Sequence, residues 1–315
     1  MSFTAGQDPD FFASYKAASN KLKKRFMKKP NIAEASEEFG QLAKSLSQQG
    51  CMHYAAFCSL ATARCEQNMS NSAGEIQGLT EAGRQFLKAD KSLTDIMSPN
   101  FNEHSNCAMN CFDFAVKAYI AEESPCLAAA LCYEMAQYLE NKGDFSIALV
   151  HYHRAAELGF QNILQSIQAL KKAVSMKLLL GDYQGSLHTC TDILHQIPGQ
   201  NPSEPFRLLG LYSNLHTECE ILVVLLLLYL KPHASKQKSF HREILQHYVA
   251  ESDPHSGMDH DLFILMQSLV IECKERNIAA IKYLQGELRP LLSVEQNELL
   301  MKIIIEFNES AAFTL

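Results

Sequence analysis

The chain has 315 residues, 47% of them apolar, which is enough to bury a large core as one extended domain or two ordinary ones and excludes disorder throughout. Its formal charge of −7 disfavours a protein built to hold phosphate backbones. The longest wholly apolar run, Ile221 to Leu230, is ten residues. That is about half of the ~20 a bilayer-crossing helix needs, so the run reads as a helix buried on every side and no transmembrane segment is expected.

In chain order, the start MSFTAGQDPDFF has neither the charged beginning nor the apolar stretch of a secretory leader. The expected compartment is the reducing cytosol, with the ten cysteines as thiols. A period of 3.6 residues then runs from end to end without alternating apolar and polar stretches, so the expected fold class is all-α. Asp8-Pro9 offers a cap and a first-turn proline for a helix with the stripe Phe11, Tyr15, Ala18, Leu22 and Phe26, ended by Pro30. Asn31 and Glu34 form a capping-box variant ahead of Ile32, Ala35, Phe39, Leu42 and Leu46, and Gly50 closes that helix. Cys51, Cys58 and Cys65 recur every seven residues, a helical stripe on which a free thiol acts as a small hydrophobe.

Further helices are expected at about 51–67, 72–89, 102–122, 125–141, 145–158, 161–180 and 183–196. Beyond the breaker-rich IPGQNPSEP they resume at about 206–230, 236–250, 260–287 (with a break near Asn277) and 294–308. Ser293 and Gln296 make a capping box for the last of these, which buries Leu300, Ile303, Ile304 and Phe307. Short links force neighbouring helices to pack antiparallel. The expected organisation is helical hairpins over 1–196, a Pro/Gly linker at 197–205, and helices over 206–315 continuing the same stack.

Gly143-Asp144-Phe145, followed by Ala148, Tyr152, Ala155 and Leu158, looks like the second half of a tetratricopeptide unit, echoed by Gly181-Asp182-Tyr183 and Leu187 thirty-eight residues later. Gly accepts a left-handed turn, Asp caps the next helix, and the small alanines let helices approach. Ser186 and Ile193 stand where small alanines would be expected in the second copy. The expectation is therefore a tetratricopeptide-like α-solenoid of irregular antiparallel hairpins.

Catalytic signatures are missing: no Walker A loop, GxGxxG, GxSxG, HExxH or EF-hand loop occurs. His104, Cys107 and Cys111 share a helix face but lack a fourth ligand, so a structural role is favoured over zinc. Asp253-Pro-His255-Ser-Gly-Met-Asp259-His260-Asp261 is the most catalytic-looking stretch and reads better as a solvated loop in which Asp259 or Asp261 starts a helix. His151 and His153 lie two apart and face different directions. Neither a metal nor another cofactor is expected.

The unusual segment is NKLKKRFMKKPN, which places Lys21, Lys23, Lys24, Arg25, Lys28 and Lys29 in a chain that otherwise sums to −13 once the segment's +6 is removed from −7. On a continued helix, Lys21, Lys24, Arg25 and Lys28 would share an arc of about 100° beside Leu22 and Phe26. Their like-charge i, i+4 pairs would weaken that helix by a few tenths of a kcal/mol each, a penalty an anionic neighbour relieves. That neighbour lies either within the chain or on a partner. A nuclear-import signal, usually read in flexible segments, and lipid attraction are rival readings. Nucleic acid is disfavoured, because no aromatic platform accompanies the lysines.

At these residues the chain resembles a known family. YKAASNKLKKRFMKKPNIAEASEEFGQLAKSL and LFILMQSLVIECKERNIAAIKYLQGELRPLLSVEQNELL are closely similar to the N- and C-terminal regions of the forty-kilodalton huntingtin-associated protein family, while YAAFCSLATARC and ALCYEMAQYLENKGDFSIALVHYHRAAEL are looser matches. The resemblance spans residues 12–308 in order. It implies a tetratricopeptide-like protein without catalysis, clamped between the helical-repeat domains of huntingtin and stabilising that scaffold. It also implies a link to early endosomes with a Rab small GTPase, a cytoplasmic location and a nuclear pool. The chain departs from the family in having only IPGQNPSEP where a long proline-rich stretch stands, and in starting without a glycine- and alanine-rich run. On this reading the six cationic residues of the basic segment contact the partner. The rival is a tetratricopeptide-like adaptor whose basic helix serves nuclear import or lipid binding.

Overall fold

A computed structural model describes residues 11–23, 30–99, 101–197, 210–232, 238–250 and 257–312, with side chains through 309. All regular structure among the described residues is helical, as the periodicity predicts, and the chain divides into two compact units, Met1–Met135 and Ala136–Leu315. Most of the expected 197–205 linker lies outside the described residues.

The first unit contains α1 (Phe11–Lys21), α2 (Ile32–Gln48), α3 (Met52–Asn68), α4 (Ser72–Asp95), α5 (Glu103–Ala121) and the start of α6 (Pro125–Lys142). Successive helices pack on one another through α5. Ring contacts also bring α1 to α3, through Phe11 and Tyr54 at 4.3 Å, and α3 to α5, through His53 and His104 at 6.0 Å. Within this unit α1, α3 and α5 therefore form one layer, with α2 and α4 behind them. Phe39 of α2 is 1% exposed among Ala18, Ala35 and Cys65, a burial that stabilises by about 1.5–3 kcal/mol. The cysteine stripe is internal as expected: Cys58 and Cys65 are buried free thiols, and Cys51 is half-buried.

The second unit continues through α7 (Phe145–Leu158), a 3₁₀ turn at Gly159–Gln161, α8 (Ile163–Leu179), α9 (Tyr183–Gln196), α10 (Leu211–Leu230), α11 (Ser239–Ala250), α12 (His260–Glu275), α13 (Ile278–Leu288) and α14 (Val294–Ala312). The break near Asn277 falls where the sequence places it, with Arg276 left-handed and Asn277 capping α13. Residues Cys219 to Leu227 of α10 are all buried, against α9, α11, α12 and α14. The expected burial on every side holds to Leu227, while Leu228 to Leu230 are half-buried. Among the described residues α10 alone is long and apolar enough to cross a membrane by length and composition. It also buries a carboxylate: Glu220 accepts a 2.9 Å hydrogen bond from the Tyr248 hydroxyl of α11 and lies 3.2 Å from His216 Nδ1. Burial, reinforced by Glu220, pushes the Tyr248 hydroxyl well above its usual range.

Helix starts follow a shared rule. Asn31, Asn71, Asn162, Asp182 and Asn277 each accept a bond from the backbone N–H three residues on, at 2.8 to 3.4 Å. Ser293 and Gln296 close a reciprocal box at 2.8 and 3.3 Å, and Gln296 reaches back to the Glu218 carbonyl of α10 at 3.1 Å. Gly143 and Gly181 have φ of +88° and +78°, the left-handed turn expected of the repeated Gly-Asp pair. One expectation needs correcting: Asp144 stands at the cap position of α7 but makes no side-chain cap bond, whereas Asp182 bonds the Gly185 N–H at 2.8 Å. A Cβ on Gly185 would come within 2.0 Å of the Asp182 carboxylate. At the matching place after Asp144 stands branched Ile147, whose N–H is taken by the Asp144 carbonyl at 3.1 Å.

Candidate docking site

The basic segment begins where α1 stops. The expected helix up to Pro30 is not continuous: α1 ends at Lys21, and Leu22 and Lys23 already form a turn and a bend. Lys21 therefore does not share an unbroken helical arc with the later cations. Repulsion between like charges four residues apart opposes such a helix, and a better arrangement is at hand. The Lys21 ammonium reaches Glu34 and Glu38 of α2, each at 2.5 Å, and the Asn31 N–H bonds the Lys21 carbonyl at 3.2 Å. The Glu34 and Glu38 hydrogen bonds raise the Lys21 pKa. Lys21 is thus paired within the chain, whereas Lys23 is exposed; Lys24, Arg25, Lys28 and Lys29 lie outside the described residues.

No group of three or more His, Cys, Asp or Glu side chains that could hold a metal occurs among the described residues. His104 lies between the Phe86 and His53 rings, at 6.2 and 6.0 Å, and burial pushes the Cys111 thiol up to about 11. Asp253 and His255 lie outside the described residues, while Asp259 precedes α12 at its cap position, without a side-chain cap bond, and His260 is the first helical residue. Burial, with Lys177 next, lowers the pKa of His153 in a cleft of about 590 Å³ shared with Phe160, Ile163 and Leu170.

What the described surface offers in quantity is uncovered apolar side chain. In the first unit Met97 is 93% exposed and Phe101 80%, on the connection between α4 and α5, with Phe12, Phe57 and Phe114 exposed elsewhere. In the second unit Val150 on α7, Phe160 on the 3₁₀ turn, Tyr283 on α13, and Val294 and Ile305 on α14 stand in water. Sequence reasoning followed the buried stripes and passed over these positions. Such surface marks binding faces when it is extensive.

These hairpins make the protein an all-helical member of the tetratricopeptide-like class. A family model for soluble NSF attachment protein, SNAP, matches residues 13–201. The 40-kDa huntingtin-associated protein of Rattus norvegicus is 34% identical over 360 aligned positions, covering 97% of this chain and 94% of the relative. Its Mus musculus counterpart is 35% identical over 353 positions, covering 94% and 92%. The chain belongs to the 40-kDa huntingtin-associated protein family, with a SNAP-type helical fold.

Proposed function

We propose that this chain is a non-enzymatic docking partner of huntingtin, held between helical-repeat domains of that scaffold and stabilising it. The observation that carries this reading is similarity across 97% of the chain to a relative named for association with huntingtin. The exposed apolar side chains of both units give it physical support, because burying them supplies affinity without any catalytic group. Lys23, Lys24, Arg25, Lys28 and Lys29 choose orientation and speed the encounter. Lys21, engaged with Glu34 and Glu38, contributes less. The family resemblance further supports a cytoplasmic chain that works with huntingtin and a Rab small GTPase at early endosomes.

The test is capture of huntingtin by the tagged full chain in cells. Reversing Lys23, Lys24, Arg25, Lys28 and Lys29 to Glu is expected to weaken capture while the melting temperature holds. Unchanged capture, with nuclear entry or liposome binding lost instead, would shift the reading to an import or lipid-binding helix.

A further inference from the structure

α1 and α3 lie side by side in the first unit, joined by the stacked Phe11 and Tyr54 rings. Their solvent faces share an uncommon composition for a chain of net charge −7. On α1, Phe12 and Lys16 follow each other at i, i+4, with Lys23 just past the helix end, and all three are exposed. On α3, His53, Phe57 and Arg64 occupy one stripe at i, i+4 and i+11, with Phe57 44% and Phe12 66% exposed. Phe12 stands 6.2 Å from the Tyr54 ring and Phe57 5.3 Å from the Phe86 ring, so both rings are braced from beneath.

The charges are one-sided. α1 contains no carboxylate, and the lone acid of α3, Glu66, is turned away to accept bonds from Ser36 at 2.5 Å and Asn71 at 2.7 Å. In the same unit Lys21, at the end of α1, and Arg84 of α4 pair with carboxylates, at 2.5 and 2.8 Å. Lys16, Lys23 and Arg64 make no such pair among the described residues. Two neighbouring helices thus show water an apolar ridge punctuated by three cations that make no ion pair among the described residues.

We propose that the α1–α3 face is a ledge for an acidic amphipathic helix of a protein partner, the partner's apolar stripe covering Phe12 and Phe57 while its carboxylates meet Lys16, Lys23 and Arg64. This rests on the reading above that the chain is a docking partner, and adds which face is used and what chemistry it selects. A helix fits because its carboxylates alternate with apolar residues at spacings of three and four, as the cations here alternate with rings. A nucleic acid fits worse: its charge recurs at every nucleotide, whereas the cations here are few and set apart by rings.

The test uses the full chain and two labelled synthetic helical peptides, each with one leucine face, flanked by glutamates in the first and by lysines in the second, followed by fluorescence anisotropy. The glutamate peptide is expected to bind at least tenfold more tightly than the lysine peptide, with affinity falling as salt rises. Lys16→Glu with Arg64→Glu is expected to abolish that preference at an unchanged melting temperature, since both side chains are exposed and neither makes an ion pair among the described residues. Equal binding of the two peptides, indifference to the substitutions, or tighter binding of a single-stranded oligonucleotide would overturn the ledge. Failure to capture huntingtin with the peptide results intact would overturn the proposed function alone, and capture that persists without peptide discrimination would overturn the ledge alone.

Discussion

α4 in the first unit and α10 in the second are both central helices, and they hold their neighbours by opposite means. α4 brings other helices close by having little side chain. A Cβ on Gly78 would lie 3.0 Å from the backbone of Ala63 in α3, and one on Gly83 would lie 2.6 Å from the Phe112 ring of α5. α10 instead fills its surroundings with bulk, burying Leu222, Val223, Val224, Leu225, Leu226 and Leu227 in sequence. Close approach depends on what is absent and bulk on what is present, so the two helices should fail under opposite substitutions.

The largest effect is expected in α10. Leu226→Ala removes a side chain with no exposed surface and should cost about 2–5 kcal/mol in chemical denaturation. In α4, Gly83→Ala should destabilise by about 1–3 kcal/mol through overpacking, although alanine in an open helix would gain ~1 kcal/mol over glycine. A stabilised Gly83→Ala variant would refute the close-approach account. Gly78→Ala should behave likewise, because it meets the Cβ and backbone of Ala63, which cannot swing aside.

A smaller pair of effects separates the two Gly-Asp turns. Asp182→Ala should cost about 1 kcal/mol, the usual value of a helix cap, while Asp144→Ala should cost well under half of that, because its carboxylate makes no cap bond. Equal losses would mean that the two turns are capped alike.

The thiols offer a pH test in both units. Burial pushes Cys58 in the first and Cys219 and Cys273 in the second up to about 12 from an ordinary 9.0. A folded pKa above the unfolded one means that the native state holds its protons longer, so stability is intact below about pH 9 and falls as pH rises from there toward 12. Denaturation midpoints measured across that window should drop, and alkylation of native protein at pH 8 should reach Cys51, Cys107 and Cys126, the half-buried thiols, before the rest.

The helical order was open to a reader of the sequence because each helix carries its own local marks: Asn31, Asn71 and Asn277 at starts, Gly143 and Gly181 at turns, and a buried stripe ending in Phe307. Marks that depend on partners distant in sequence were not open. One difference is local instead: α4 continues to Asp95, beyond the expected end near residue 89, with the Ser92 and Thr94 hydroxyls bonding back to the Lys88 and Asp90 carbonyls at 2.9 and 3.1 Å. At the end of α1, Glu34 and Glu38 of another helix take the Lys21 ammonium, an arrangement that periodicity within α1 cannot announce. Glu220 sits inside the most apolar helix of the chain for a similar reason: Tyr248, twenty-eight residues away, supplies its hydrogen bond. For the candidate docking site, the basic segment was conspicuous as sequence, whereas the exposure of Arg64 and the bracing of Phe57 by Phe86 required the packed helices.

The measurement that bears most directly on the central claim is the native mass of the endogenous chain, read by size-exclusion chromatography of gently lysed cells with the chain detected across all fractions. Essentially all of it is expected to travel with huntingtin, in a particle many times heavier than its own 35.3 kDa. A stable pool eluting at its own mass, unaccompanied and monodisperse, would contradict the account.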